Sequence, residues 1–255
     1  MLSESLGYPI RGDGTKRFLT LAGVQILAAI VSTVIMFALI FGSAMSMNAM
    51  QSPGVSPGGM GALMGGVGIG VVLLLFVVSL LVGVFTLGYN VRVLRTTAEG
   101  DDELPSFADL GGLFVDGLAG VVINVLYFLP MIALIAVGAL AEVNAIAYLG
   151  LLWVFPAGYL LPIALSAYAS GDFTASFSLG RIVSLATSGG YVKAWLLAFG
   201  LYLVFGIVNV VLSFIPLLGT FVTVFVGVYA TLVAFRLYGL GVTEAANTVS
   251  STSTL

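Results

Sequence analysis

The chain has 255 residues, 60% of them AVILMFWYC and only 7% charged, and its mean hydropathy is +1.19. A soluble domain carries about 25% charged residues to keep its surface wet, so a soluble globular protein, a disordered chain and a nucleic-acid binder are excluded, and an integral membrane protein remains. Cysteine and histidine are both absent, which removes disulfides, thiolate chemistry, His-ligated metals and His-assisted nucleophiles.

Charges punctuate the chain and so mark its spans. Arg11, Lys16 and Arg17 precede an uncharged run from Phe18 to Val91. A spanning helix needs about 20 apolar residues. This run therefore holds two spans, predicted at 18–42 and 63–90, around a Gly-, Met-, Ser- and Pro-rich loop from Ser43 to Gly61. The apolar core of a signal peptide is only about 7–15 residues long, so the first run reads as a span. Gly66-x-x-x-Gly70 predicts a close helix–helix contact. The uncharged runs Gly117–Ala141 and Val143–Gly171 hold one span each, predicted at 118–140 and 145–168, with the turn at Glu142 and Asn144. Pro130, Pro156 and Pro162 predict kinks there. The run Ala194–Phe235 holds spans 192–213 and 217–238, turning between Phe214 and Gly219, and residues 241–255 read as a flexible tail. Gln25 and Asn124, each about 10 Å into its span, are expected to face the bundle interior.

The predicted fold is all-α: an integral membrane bundle of six transmembrane helices in three hairpins with cytoplasmic interfacial helices, forming one domain over 1–255. All eight Lys and Arg fall on one side of this alternation and the three opposite loops hold none, so the positive-inside rule puts both termini in the cytoplasm. Gly-Asp recurs at Gly12-Asp13, Gly100-Asp101 and Gly171-Asp172, once before each hairpin. This predicts a threefold repeat over 1–95, 96–168 and 169–240.

The segments on the charged side carry apolar residues at helical spacing. Phe107, Leu110, Leu113 and Phe114 follow Ser106, which forms a capping-box-like start with Asp109. An interfacial helix over 106–116 is expected, with Phe107, Leu110 and Phe114 facing bilayer or bundle and Asp109 and Asp116 facing water. Phe173, Phe177, Ile182, Val183 and Leu185 repeat the pattern before the fifth span.

Three stretches carry a family likeness: Gly7–Asp13, the run from Gly88 through Arg92-Val93-Leu94-Arg95 to Glu103-Leu104-Pro105-Ser106-Phe107, and Leu113–Gly117. Together they resemble an archaeal multi-pass membrane family, common in haloarchaea, that is catalogued as a domain of unknown function. The resemblance covers nearly the whole chain. It implies an archaeal plasma membrane, which agrees with a pI near 4.7, and it supplies no activity or site residue.

The one dense ionisable cluster is Glu99, Asp101, Asp102, Glu103, Asp109 and Asp116, beside Arg92 and Arg95. Oxygen ligands at that density can hold a hard cation, but the spacing of a calcium loop is missing. Asp116-Gly117 opens like an alcohol-phosphatidyltransferase motif and lacks the rest of it. The expectation is a solvated face, with no catalytic, cofactor or metal residue assigned. The functional expectation is a non-enzymatic scaffold, accessory subunit or lipid-environment component. Its partners are the lipid bilayer and other membrane proteins or a second copy, with no nucleic acid. The alternative is a channel or transporter for a neutral or weakly polar solute, favoured by the prolines of the fourth span.

Overall fold

A computed structural model describes the backbone of residues 1–49, 57–215 and 218–252, and side-chain surroundings for 1–37, 40, 70–215, 219–249 and 251. The helices are α1 Leu2–Gly7, α2 Gly14–Ala49, α3 Pro57–Glu99, α4 Leu110–Leu140, α5 Asn144–Leu152, α6 Val154–Ser170, α7 Leu179–Ala186, α8 Gly189–Leu212 and α9 Leu218–Thr252. Single 3-10 turns lie at Tyr8–Ile10 and Phe173–Phe177. Six stretches are long and apolar enough to cross a membrane: Gly14–Phe37, Gly70–Glu99, Leu110–Leu140, Asn144–Ser170, Gly189–Leu212 and Gly219–Val249. The protein is an all-α, multi-pass membrane protein, and no strand occurs among the described residues.

Several boundaries differ from the sequence reading. Most of the expected outer loop over 43–61 is helical: α2 continues to Ala49, and Pro57 opens α3. Proline suits the first helical position, where no N–H is required, and uncharged Met- and Ala-bearing sequence does not oppose helix. Residues 50–56, and Pro216 and Leu217 of the expected last turn, lie outside the described residues. Residues 241–252, expected as a tail, prolong α9, and Val242 and Ala245 are buried. The expected interfacial helix over 106–116 does not exist separately: α4 begins at Leu110 and runs unbroken to Leu140.

The α-helical bonding of the fourth span is interrupted for one residue at Trp153, between α5 and α6, where the backbone stays right-handed (φ −60°, ψ −18°). Proline cannot donate to the carbonyl four residues back and clashes with it. For Pro156 that carbonyl belongs to Leu152, where α5 ends. For Pro162 it belongs to Gly158, and the Trp195 indole of α8 donates to that carbonyl at 3.4 Å. The Trp153 indole likewise donates to the Tyr127 carbonyl at 3.0 Å, tying the interruption to α4. Asn124, in α4, gives its amide to the Gly120 carbonyl of its own helix at 2.9 Å. The turn between α4 and α5 closes with the Val143 N–H on the Gly138 carbonyl at 2.9 Å and the Glu142 N–H on Ala139 at 3.3 Å. This motif needs a left-handed residue at Glu142 (φ 55°).

The chain divides into two compact units, Ala22–Gly83 and Met1–Leu21 with Val84–Leu255. In the first, most of the described side chains are apolar and many are exposed, among them Leu27, Val34, Phe37, Leu73 and Phe76. Among the described residues nothing comes within 4 Å of a Cβ placed on Gly70, and Gly66, the other half of the expected contact, lies outside the described side chains. In the second unit, α3 and α4 do approach closely. A Cβ on Gly88 would run into the Leu113 carbonyl, and one on Gly117 into the Val84 carbonyl. Above that contact, Val91, Leu94, Ile123, Leu165, Val233 and Leu237 form one core where α3, α4, α6 and α9 meet. A second core joins Ile163, Ile182, Leu185, Tyr191 and Val242. Beyond the cores the helices present bare apolar faces, as lipid-facing helices do.

Candidate functional site

Residues 101–109 join α3 to α4 without helix. Such a strap leaves carbonyls unpaired, and covering them without partners costs free energy. Here side chains from three helices take up those carbonyls. Arg236 of α9 donates to the Asp101 carbonyl and Arg17 of α2 to the Leu104 carbonyl. Tyr89 of α3 donates to Pro105 at 2.9 Å. Arg92, also on α3, donates to the Ala108 and Asp109 carbonyls at 2.5 and 2.6 Å. Leu104 is buried beneath, and Phe107 stacks on Tyr89 with ring centroids 4.8 Å apart. A guanidinium offers five donors in a rigid fork, which explains arginine rather than lysine at each of these positions.

The strap ends at Asp109, whose left-handed backbone (φ 57°) starts α4 and whose carboxylate accepts the Gly112 N–H at 3.0 Å. Asp109, not Ser106, is thus the helix cap. A short polar side chain tolerates that conformation and can still reach the third N–H of the helix. The strap begins at Gly100 (φ 87°), a backbone that glycine adopts freely. Gly12 (φ 52°) is left-handed too, whereas Gly171 has φ −145°. The three Gly-Asp pairs therefore do not share one turn geometry.

Two ionic centres sit beside the strap. At the first, Asp116 takes both arms of Arg95, at 2.9 and 3.1 Å, and the Tyr168 hydroxyl at 3.0 Å, with the Arg92 Nε at 3.9 Å. Arg95 Nε also donates to the Ala169 carbonyl at 3.0 Å. This fastens α3, α4 and the end of α6 together. Asp116 was expected to face water and is instead buried, because a carboxylate about two turns inside α4 meets two arginines of α3 there. At the second centre, Arg236 is 1% exposed. It pairs with Asp102 at 2.6 Å and Glu4 at 3.6 Å and lies over the Tyr8 ring, 4.7 Å from its centroid. Burial pushes the Tyr8 phenol above its usual range, while Arg236 pulls the other way. Arg11 with Asp102 (3.7 Å) and Arg17 with Glu103 (4.0 Å) extend the network.

Between these centres lies an open cleft of about 490 Å³, lined among others by Arg17, Arg92, Arg95, Asp101, Glu103 and Ser106. The expected acid cluster is thus brought to one place, but its members face arginines more than each other. Glu99 is exposed, and among the described residues no carboxylate–cation contact within 4.0 Å involves it. Among the described residues no three acids converge as metal ligands would. The sequence reading missed Arg236, Tyr8 and Glu4. The one available signal was an arginine ending an otherwise uncharged span, opposite a strap rich in acids.

One family, described as "protein of unknown function (DUF4013)", matches residues 73–216. That range contains the strap, Arg92, Arg95 and Asp116, and excludes Arg17 and Arg236. No curated protein and no solved structure matches the chain.

Proposed function

The chain belongs to the DUF4013 family, and we propose that it is a non-enzymatic integral membrane protein: a scaffold or accessory subunit whose charged end is an internally fastened cap. The observation that carries this reading is how the guanidinium groups are used. Arg17, Arg92, Arg95 and Arg236 spend their donors on carbonyls and carboxylates of the same chain. Charge here fixes architecture, and a stable cap over lipid-facing hairpins offers neighbours in the bilayer a constant surface. The membrane is an archaeal plasma membrane with both termini cytoplasmic, supported by eight basic residues on one side of the alternation and by the acidic composition.

A second reading, a channel or transporter for a neutral solute, is favoured by Pro156 and Pro162, which interrupt the hydrogen bonding of the fourth span, since discontinuous helices line many transport sites. One experiment separates the two. The protein is taken from its native membrane in polymer nanodiscs and, in parallel, reconstituted into sealed vesicles. A stoichiometric protein partner with no passage of neutral solutes supports the scaffold. Passage of a small neutral solute without a partner overturns it. Single cysteines test the orientation. One at Ser213 should react with an impermeant reagent on intact cells, and one at Ser106 only after permeabilisation.

A further inference from the structure

Six of the eight basic side chains lie within ion-pair distance of a carboxylate: Arg11, Lys16, Arg17, Arg92, Arg95 and Arg236. Among the described residues, Arg181 and Lys193 have no such partner, and both are exposed. They flank one corner of the fold, Arg181 on α7 and Lys193 in the first turns of α8. Glu244 lies against Gly190, one turn before Lys193, without pairing with it. The protein thus neutralises its cations everywhere but here.

Lys193 also heads an apolar face. Leu196, Gly200, Leu203 and Ile207 follow it at spacings of three and four, which keeps them on one side of α8. Leu196, Leu203 and Ile207 are each more than half exposed, and a Cβ on Gly200 would meet nothing within 4 Å. From Lys193 to Ile207 the helix rises about 21 Å, which exceeds the roughly 15 Å depth of one leaflet's hydrocarbon. A lysine stem laid on such a face reaches the headgroup layer with its ammonium.

We propose that this face of α8 binds an anionic phospholipid, its phosphate on Lys193 and an acyl chain along Leu196, Gly200, Leu203 and Ile207, with Arg181 adding to the attraction. The occupant must carry negative charge at one end and hydrocarbon along the rest. A soluble anion meets only the first requirement and a zwitterionic lipid leaves the corner's charge uncompensated. The proposal rests only on the chain spanning a membrane and stands independently of the scaffold reading.

The test uses the full chain in detergent, with dioleoyl phosphatidylglycerol and dioleoyl phosphatidylcholine added in turn. Melting and the number of lipids retained in native mass spectra are recorded. The wild type should retain the anionic lipid several-fold better and melt several degrees higher with it. Lys193→Gln should lower that preference at least threefold, and Lys193→Arg should keep it. Lys16→Gln, which removes a cation already paired with Asp13, should leave it unchanged. Lys193 is exposed and unpaired, so its variants fold. Equal retention of both lipids by the wild type, or an unchanged preference in Lys193→Gln, overturns the proposal. Equal stabilisation by soluble glycerol phosphate overturns the acyl-chain half of it.

Discussion

Replacing Asp116 by Ala strikes the junction of α3, α4 and α6 at its centre. The change removes a bidentate pair with Arg95 at 2.9 and 3.1 Å, the Tyr168 hydroxyl bond at 3.0 Å and the longer Arg92 contact. Deleting one member of a buried ion pair costs about 3–5 kcal/mol, because the survivor stays desolvated. The side chain of Arg95 is 36% exposed, however, and it keeps its bond to Ala169. Water therefore restores part of its solvation, which brings the ionic share to about 2 kcal/mol. Loss of the Tyr168 bond adds about 1 kcal/mol, for a total of about 3. Asp116→Asn keeps one acceptor and the shape, and should cost about half as much. The assay is reversible unfolding in mixed micelles of mild detergent and dodecyl sulfate, followed by tryptophan fluorescence. A double-mutant cycle with Arg95→Gln should show coupling of at least about 1 kcal/mol. An Asp116→Ala protein within about 0.5 kcal/mol of wild type, or a cycle with no coupling, would refute the view that this pair fastens the bundle.

Gly117→Ala forces a methyl against the Val84 carbonyl and should destabilise by about 1–3 kcal/mol in the same assay; a neutral effect would mean that α3 and α4 are not in contact there. Glu142→Gly relieves a left-handed non-glycine residue that costs about 1–2 kcal/mol, partly offset by glycine's freedom in the unfolded chain. A net gain of about 0.5 kcal/mol is expected, and any loss of stability contradicts the turn geometry. The Thr174 hydroxyl and the Ala175 N–H hold the Asp172 carboxyl below its usual range. A depressed acid stabilises the fold fully above its ordinary value, near pH 4, and loses that contribution as pH falls through the depressed one. The hydrogen-exchange protection factors of residues 173–177, measured relative to the intrinsic rate at each pH, should therefore fall below about pH 4, and Asp172→Asn should abolish that pH dependence while preserving the turn.

The spans were legible in the sequence because insertion is scored locally. An uncharged run long enough to cross hydrocarbon announces itself without reference to any other part of the chain, and the same holds for the gathering of Lys and Arg on alternate connections. The strap's composition was visible too, down to an acid cluster beside Arg92 and Arg95, which was expected to be a solvated face. What the sequence alone did not decide was which acid met which cation. Asp116 looked like the polar face of a surface helix. It is buried because α3 and α4 approach within a glycine's width at Gly88 and Gly117, which brings two arginines onto it. In the sequence Arg236 stood only as one of the eight basic residues that set the orientation. It is the most enclosed cation of the fold because α9 delivers it to Asp102, which is 134 residues away in sequence, and to the Tyr8 ring. Asp109 displaced Ser106 as the cap once Tyr89 and the arginines had taken the strap's carbonyls, leaving helix to begin only at Leu110. Hydropathy and helix length are properties of a segment, and the sequence by itself determined them. Ion pairing, capping and burial of charge depend on where separate helices converge, and only the tertiary structure decided those.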